Sequence, residues 1–247
     1  MVPRDSTKSK GMRLDAYLAR AGFATRREAR GLIRCGAVRV DGQTCRDAAR
    51  RIELETVVVR DEALDSPALV RDFLIHKPVG FSCSNDDRES PLVLDLLPET
   101  LRRRSLLIAG RLDRATSGLL VLTTDGDFVH RLTHPGRKVA KRYRVEYDGE
   151  LVEDAVTRCQ EGLLLPGEDR PTRPAELELD GPGRATLVLR EGRTHQVRRM
   201  IRILGGEVVS LHRDRVGGLV LPEDLEPGDL RPLEREERAL LLSDSNL

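Results

Sequence analysis

Apolar residues at Leu14, Leu18 and Ala21 recur at helical spacing, and Gly22 follows where a helix would close. Thr25 and Glu28 then form a T-x-x-E capping box, with Ala29, Leu32 and Ile33 on the inner face of the helix it opens and Gly36 at its end. Residues 37–40 alternate (Ala-Val-Arg-Val) before Asp41-Gly42, the dipeptide that favours a type I′ turn, so a hairpin with a return strand is predicted. From residue 71 onward the pattern changes to short apolar runs: FLIHKPVGF, LLVLTTDGD, RYRVEYDG, ATLVLREG and EVVSLHRDRVGGLVL. These read as strands separated by Asp-Gly, Gly-Gly and Pro-containing turns, with helices interspersed rather than strictly alternating. A mixed, largely antiparallel α+β domain is predicted, preceded by a small α/β module. Late in the chain, Val197, Met200, Ile201 and Leu204 form an apolar stripe, predicting a helix that opens at about Thr194 and is stopped by Gly205-Gly206.

Composition narrows this picture. With 247 residues, 39% of them hydrophobic, the chain can bury a sizeable core in one large or two unequal domains. Its longest apolar runs, such as Leu119–Leu122, fall far short of the ~20 residues of a membrane span. Residues 1–11 are polar and basic without an apolar stretch, so no secretory signal is read there and a cytosolic protein is expected. The four cysteines show no C-x-x-C spacing and should be reduced and structural. His130 and His134 stand four apart but lack the H-E-x-x-H context of a zinc site. No phosphate-binding glycine loop is present, so no nucleotide cofactor is expected.

The net charge of +1 hides an asymmetry. Residues 1–60 carry 14 Lys and Arg against 7 Asp and Glu, while the remainder carries 28 against 34. A polyanionic partner is therefore expected at the N-terminal end. Arg26, Arg27, Arg30 and Arg34 all fall on the outer face of the second helix, where they serve either solubility or contact with phosphate. Residues 60–70, acidic with a Ser-Pro, read as a linker.

Polar residues at the edges of the apolar runs supply the candidate chemistry. In GRLDRATSG, Asp113 lies between Arg111 and Arg114 just before an apolar strand. Arg111 and Asp113, two residues apart, share one side of an extended chain, and cationic neighbours favour the ionised carboxylate, which is a nucleophile or a base. Tyr143 lies in a basic strand beside Lys141, Arg142 and Arg144, in a chain with only 3% aromatic residues. A lone strand Tyr is ordinarily core; its basic flanks point instead toward RNA. Arg193 and Thr194 stand at the start of the late helix, an anion site able to receive a phosphate or the Asp113 carboxylate. That helix is equally well described as an ordinary amphipathic one, with Arg198, Arg199 and Arg202 on its outer face.

These readings stop at an RNA-binding protein with a candidate carboxylate. The stretch from Met12 to about Val59, with its R-L-D, T-R-x-x-A and G-x-V-x-V-D-G, resembles the S4-type RNA-binding module. G-R-L-D-x-x-T-S-G-L-L at 110–120 resembles the catalytic signature of pseudouridine synthases. With it come K-P-x-G-F at 77–81, K-x-Y at 141–143 and E-G-R-x-H-Q-V-R-R-M at 191–200. Similarity extends over nearly all of residues 71–240 and is greatest to the RsuA branch, which acts on small-subunit ribosomal RNA; His212 and Gly217-Gly218 are less expected in large-subunit relatives. Phe81 stands where Tyr is commoner, and Arg142 where a small residue is usual.

The resemblance implies an S4-type domain at 12–59, a linker at 60–70 and a catalytic domain at 71–240. It implies Asp113 as nucleophile, Tyr143 stacking on an extruded base and serving as proton acceptor, and Arg193 paired with Asp113. Arg111 would fill the space the base vacates. Lys77, Lys141, His195, Gln196 and Arg198 would touch substrate, and Arg13, Arg26, Arg27, Arg30, Arg34 and Arg39 would touch RNA. No metal and no other cofactor are expected. The partner would be small-subunit ribosomal RNA or an assembly intermediate, met by a cytoplasmic monomer without membrane association. A large-subunit synthase and a noncatalytic ribosome-assembly factor remain as alternatives.

Overall fold

The computed structural model describes residues 12–21, 23–52, 55–63, 72–84, 86–102 and 106–243. The chain divides into two compact units.

The N-terminal unit begins with β1 (Met12–Arg13), α1 (Leu14–Arg20) and α2 (Arg26–Cys35). Both halves of the expected capping box form: the Glu28 amide donates to Thr25 Oγ1 at 3.2 Å, and the Thr25 amide to Glu28 Oε2 at 2.8 Å. Gly36 closes α2 at φ +84°, whereas Gly22, expected to close α1, lies outside the described residues. Next come β2 (Val38–Val40), β3 (Gln43–Thr44), β4 (Arg51–Ile52), β5 (Val57–Val59) and β6 (Glu62–Ala63). Val40 faces Gln43 across Asp41-Gly42, both at positive φ (49° and 77°), which is the two-residue hairpin the dipeptide predicts. Leu14, Tyr17, Leu18, Ala29 and Ile33 of the helices pack on Val38, Val40, Ile52, Val57 and Val59. Residues 60–63, read as the start of a linker, instead belong to the N-terminal unit, where β6 pairs with β5 (Val58↔Ala63, Val59↔Glu62) and extends its sheet; the rest of the predicted linker lies outside the described residues.

The second unit is organised around a nine-stranded sheet. From residue 72 onward the elements in chain order, of which α3 falls in the first unit, are β7 (Asp72–Lys77), α3 (Glu99–Arg102), β8 (Leu107–Ala109), β9 (Ser117–Thr123), α4 (Gly126–Thr133), β10 (Lys141–Gly149) and α5 (Ala155–Glu161). They continue with β11 (Glu176–Gly181), β12 (Arg184–Leu189), α6 (Gln196–Ile203), β13 (Gly206–Val216), β14 (Leu219–Val220), β15 (Leu230–Pro232) and α7 (Arg235–Leu240). The strand order is β11-β12-β10-β13-β9-β7-β15, with β14 on β13 and β8 on β9.

Most pairings are antiparallel, as predicted, but β13 meets β9 in parallel over two residues, His212↔Ser117 and Arg213↔Gly118. Gly118 makes this junction possible. At φ +120°, a Cβ placed there would come within 2.1 Å of the Arg213 carbonyl oxygen. Gly217-Gly218 turns β13 into β14 as expected, with Val216 facing Leu219. The Asp125-Gly126 pair, read as a turn between strands, instead opens α4: an Asp-Gly dipeptide signals a chain reversal but does not specify whether a strand or a helix comes next. Leu74, Leu119, Val121, Phe128, Leu132 and Val216 lie in the core between sheet and helices.

Candidate active site

The loop between β8 and β9 carries Asp113, and nearly every backbone carbonyl of that loop is held from behind. The Gly110 and Arg111 carbonyls accept from the Arg213 guanidinium at 3.1 and 3.4 Å. Asp113 closes a turn by accepting from the Thr116 amide at 3.0 Å. The Arg114 carbonyl accepts from the Gly80 amide at 2.8 Å, and Arg114 Nε donates to the Gly80 carbonyl at 3.0 Å, which docks the K-P-x-G segment onto the loop. The Ala115 carbonyl accepts from Arg198 at 2.9 Å and that of Thr116 from Lys77 Nζ at 2.7 Å. With the backbone fixed on one side, the Asp113 side chain, 36% exposed, lines a cleft of about 520 Å³.

The same cleft is lined by Arg111, Lys141, Tyr143, Arg193, His195 and Arg213. Lys141 and Tyr143 share one face of β10 because side chains repeat every two residues along a strand. Tyr143 is 9% exposed, and its hydroxyl makes no hydrogen bond among the described residues. Lys141 Nζ donates to the Val139 carbonyl at 3.1 Å, and burial, reinforced by the Arg213 charge and opposed by Glu191, lowers its pKa to about 8. Among the described residues Arg111 makes no ion pair.

The carboxylate faces His195, whose Nε2 lies 3.6 Å from Asp113 Oδ1. His195 is the N-cap of α6 in the left-handed conformation, φ +50°, which is why the helix begins at Gln196 rather than at about Thr194.

Arg193 does not pair with Asp113 as expected. Its guanidinium donates to the Arg170 and Pro171 carbonyls at 2.9 and 2.6 Å and pairs with Glu168 and Glu191, both at 3.4 Å. Two carboxylates and two carbonyls hold it, so it fastens the loop before β11 to the start of α6. Two residues expected at the substrate also turn inward. Lys77 is fully buried, with Nζ on the Pro78 and Thr116 carbonyls, and burial lowers its pKa. Gln196 is buried as well; it accepts from the Arg193 amide at 2.9 Å and donates to Glu191 Oε1 at 2.7 Å. Arg198 spans the Ala115 and Val208 carbonyls, behind the Asp113 loop.

In the N-terminal unit, Arg13, Arg26 and Arg30 converge on Asp15 at 3.1, 3.4 and 2.9 Å. The Asp15 side chain is fully buried while the three arginine side chains stay 39 to 56% exposed. Burial raises the Asp15 pKa, but hydrogen bonds from Arg13 and Arg30 and the charge of Arg26 outweigh it and bring the carboxyl down to about 2. Arg39 pairs with Asp61, and Arg27 and Arg34 are exposed. Sequence reasoning missed Asp15 and Arg213. The available signals were an acidic residue in the first turn of a basic module and an Arg sharing the inward parity of Leu211 in a strand.

A carboxylate that shares a cleft with a strand tyrosine and several cations, in a chain that also carries a basic helical module, is an arrangement suited to chemistry on RNA. The model of the RNA pseudouridylate synthase family matches residues 73–202, the S4 domain model matches residues 12–58, and the chain belongs to the RNA pseudouridylate synthase family. Ribosomal small subunit pseudouridine synthase A of Pseudomonas aeruginosa is 44% identical over 229 residues, spanning 92% of this chain and 98% of that protein. The protein of the same name from Escherichia coli K12 is 40% identical over 233 residues, spanning 92% and 99%. A crystal structure of a pseudouridylate synthase superposes with a TM-score of 0.67 at 38% identity, covering 93% of this chain and 99% of that one. No helix among the described residues is long and apolar enough to cross a membrane.

Proposed function

We propose that the protein isomerises a specific uridine of small-subunit ribosomal RNA to pseudouridine, with Asp113 as the nucleophile. The reaction breaks the bond from ribose C1′ to N1 of uracil and forms one from C1′ to C5. A proton leaves C5 and one is gained at N1, so no atoms are added or lost. The uridine must leave its stack, costing a few kcal/mol. Tyr143, on the cleft wall, packs on the extruded base and as the phenolate accepts the C5 proton, while Arg111 occupies the gap left in the RNA. Lys141 and His195 contact the nucleotide. The arginines of the N-terminal unit, joined through the segment after β6 to a catalytic domain at 71–240, contact RNA phosphates. The enzyme works as a monomer in the cytoplasm.

The observation that carries this reading is the Asp113 loop itself, whose carbonyls are held from behind so that one carboxylate faces the cleft. The small-subunit target is supported by the names of the two bacterial relatives.

The test incubates the chain separately with small- and large-subunit ribosomal RNA and maps pseudouridine by carbodiimide-blocked primer extension. One modified position in the small-subunit RNA is expected, and none with Asp113→Asn, which should fold and bind RNA. Turnover by Asp113→Asn would refute the nucleophile, and a product only in large-subunit RNA would refute the target.

A further inference from the structure

Arg213 is 2% exposed, yet among the described residues its guanidinium meets no carboxylate. All of its hydrogen bonds go to carbonyls. Nε and Nη2 donate to Leu119 on β9 at 3.1 and 2.7 Å, Nη2 also to Gly110 at 3.1 Å, and Nη1 to Arg111 at 3.4 Å. A buried charge without a counter-ion is costly to desolvate, and one so placed calls for a reason beyond stability. The planar fork of five donors lets one side chain reach both ends of the segment from Gly110 to Leu119, whereas a lysine, a single point charge, would hold only one of them. The Gly118–Arg213 close approach brings this side chain beneath the loop.

We infer that Arg213 is a positioning residue for the reaction: by gathering the Gly110, Arg111 and Leu119 carbonyls it sets the Asp113 carboxylate at its working point in the cleft. The inference rests on the reading of Asp113 as the reacting group. Arg213 acts through the backbone, so its loss should lower the rate of the chemical step and leave RNA binding, carried by other groups, nearly unchanged. Displacement of a reacting group by ~1 Å costs on the order of 100-fold.

The experiment measures tritium release from ribosomal RNA transcribed with 5-tritiated uridine, using whichever subunit RNA the parent chain modifies. Arg213→Met, Arg213→Lys and Asp113→Asn are measured in parallel, with thermal unfolding of each. Arg213→Met should fold, lose about 100-fold in kcat with KM within threefold of the parent, and be improved at least tenfold by lysine at the same position. A kcat within threefold of the parent would overturn the inference. So would a KM rising as much as kcat falls, or no recovery with lysine. If Arg213→Met does not fold, Arg213→Lys decides: a roughly tenfold lower kcat at unchanged KM supports the inference and a parental kcat sinks it. Failure of both to fold would assign Arg213 to stability alone and also overturn it. An active Asp113→Asn brings down the underlying reading, whereas an inactive Asp113→Asn beside a parental Arg213→Met brings down only this one.

Discussion

The Asp15 cluster and the Asp113 loop use the same ingredients in opposite ways. In the N-terminal unit, three arginines converge on the carboxylate itself. Asp15 is sealed, its charge is spent on its neighbours, and the arginine side chains are left in a fixed, half-exposed array. In the catalytic unit, Lys77, Arg198 and Arg213 converge on the main chain around Asp113 and leave the carboxylate to the cleft. A carboxylate surrounded by cations is therefore not yet a reactive one. What decides is whether the cations bind its oxygens or the carbonyls that carry it.

This contrast is most exposed to refutation at Asp113. Asp113→Asn should lower turnover by about 10⁴-fold or more without loss of fold, read by the same tritium release with unfolding as the control. The Arg213 variants come next, at about 100-fold.

Gly118→Ala attacks the junction that seats Arg213. A methyl group there would lie 2.1 Å from the Arg213 carbonyl oxygen, on a backbone at φ +120°, so the parallel pair must part. A loss of about 3 kcal/mol in stability is expected by urea denaturation, together with at least a tenfold fall in activity.

Asp15→Asn should cost about 2 kcal/mol, because a carboxyl held at about 2 against 3.8 when unfolded gives up that linkage energy. The depressed value sets the sign. The contribution is complete above about pH 4 and vanishes as pH falls toward 2, so hydrogen exchange of residues 14–35 in the full chain should separate the variant from the parent at pH 6 and not at pH 2. Smallest is the double change Arg27→Gln and Arg34→Gln. These exposed arginines are outside the Asp15 cluster, and their loss should reduce the slope of log K for RNA against log salt by about 1 each.

What the sequence disclosed was local. The Thr25–Glu28 box, the Asp41-Gly42 and Gly217-Gly218 hairpins and the stripe from Val197 to Leu204 each depend on a few neighbouring residues, and each formed. What it concealed was long-range. Arg193 finds Glu168, 25 positions earlier, and nothing in EGRTHQ says that an acidic loop will reach it before Asp113 can. Lys77 and Gln196 sit in motifs shared with a catalytic family, yet a motif records that a residue is needed, not whether it faces substrate or the backbone behind it. Arg213 reads as one more charge in a strand until the partner strand is known. The late start of α6 turns on one left-handed residue, His195, for which helical periodicity has no signal.

The Gly118–Arg213 junction also has a consequence in time. The guanidinium that holds the Gly110 carbonyl is encoded 103 positions downstream of it. While the chain is still emerging from the ribosome, the Asp113 segment is made early, and its support arrives only when β13 is synthesised and docks. A truncated product ending before β13 carries the whole G-R-L-D signature and still lacks the Arg213 floor beneath it.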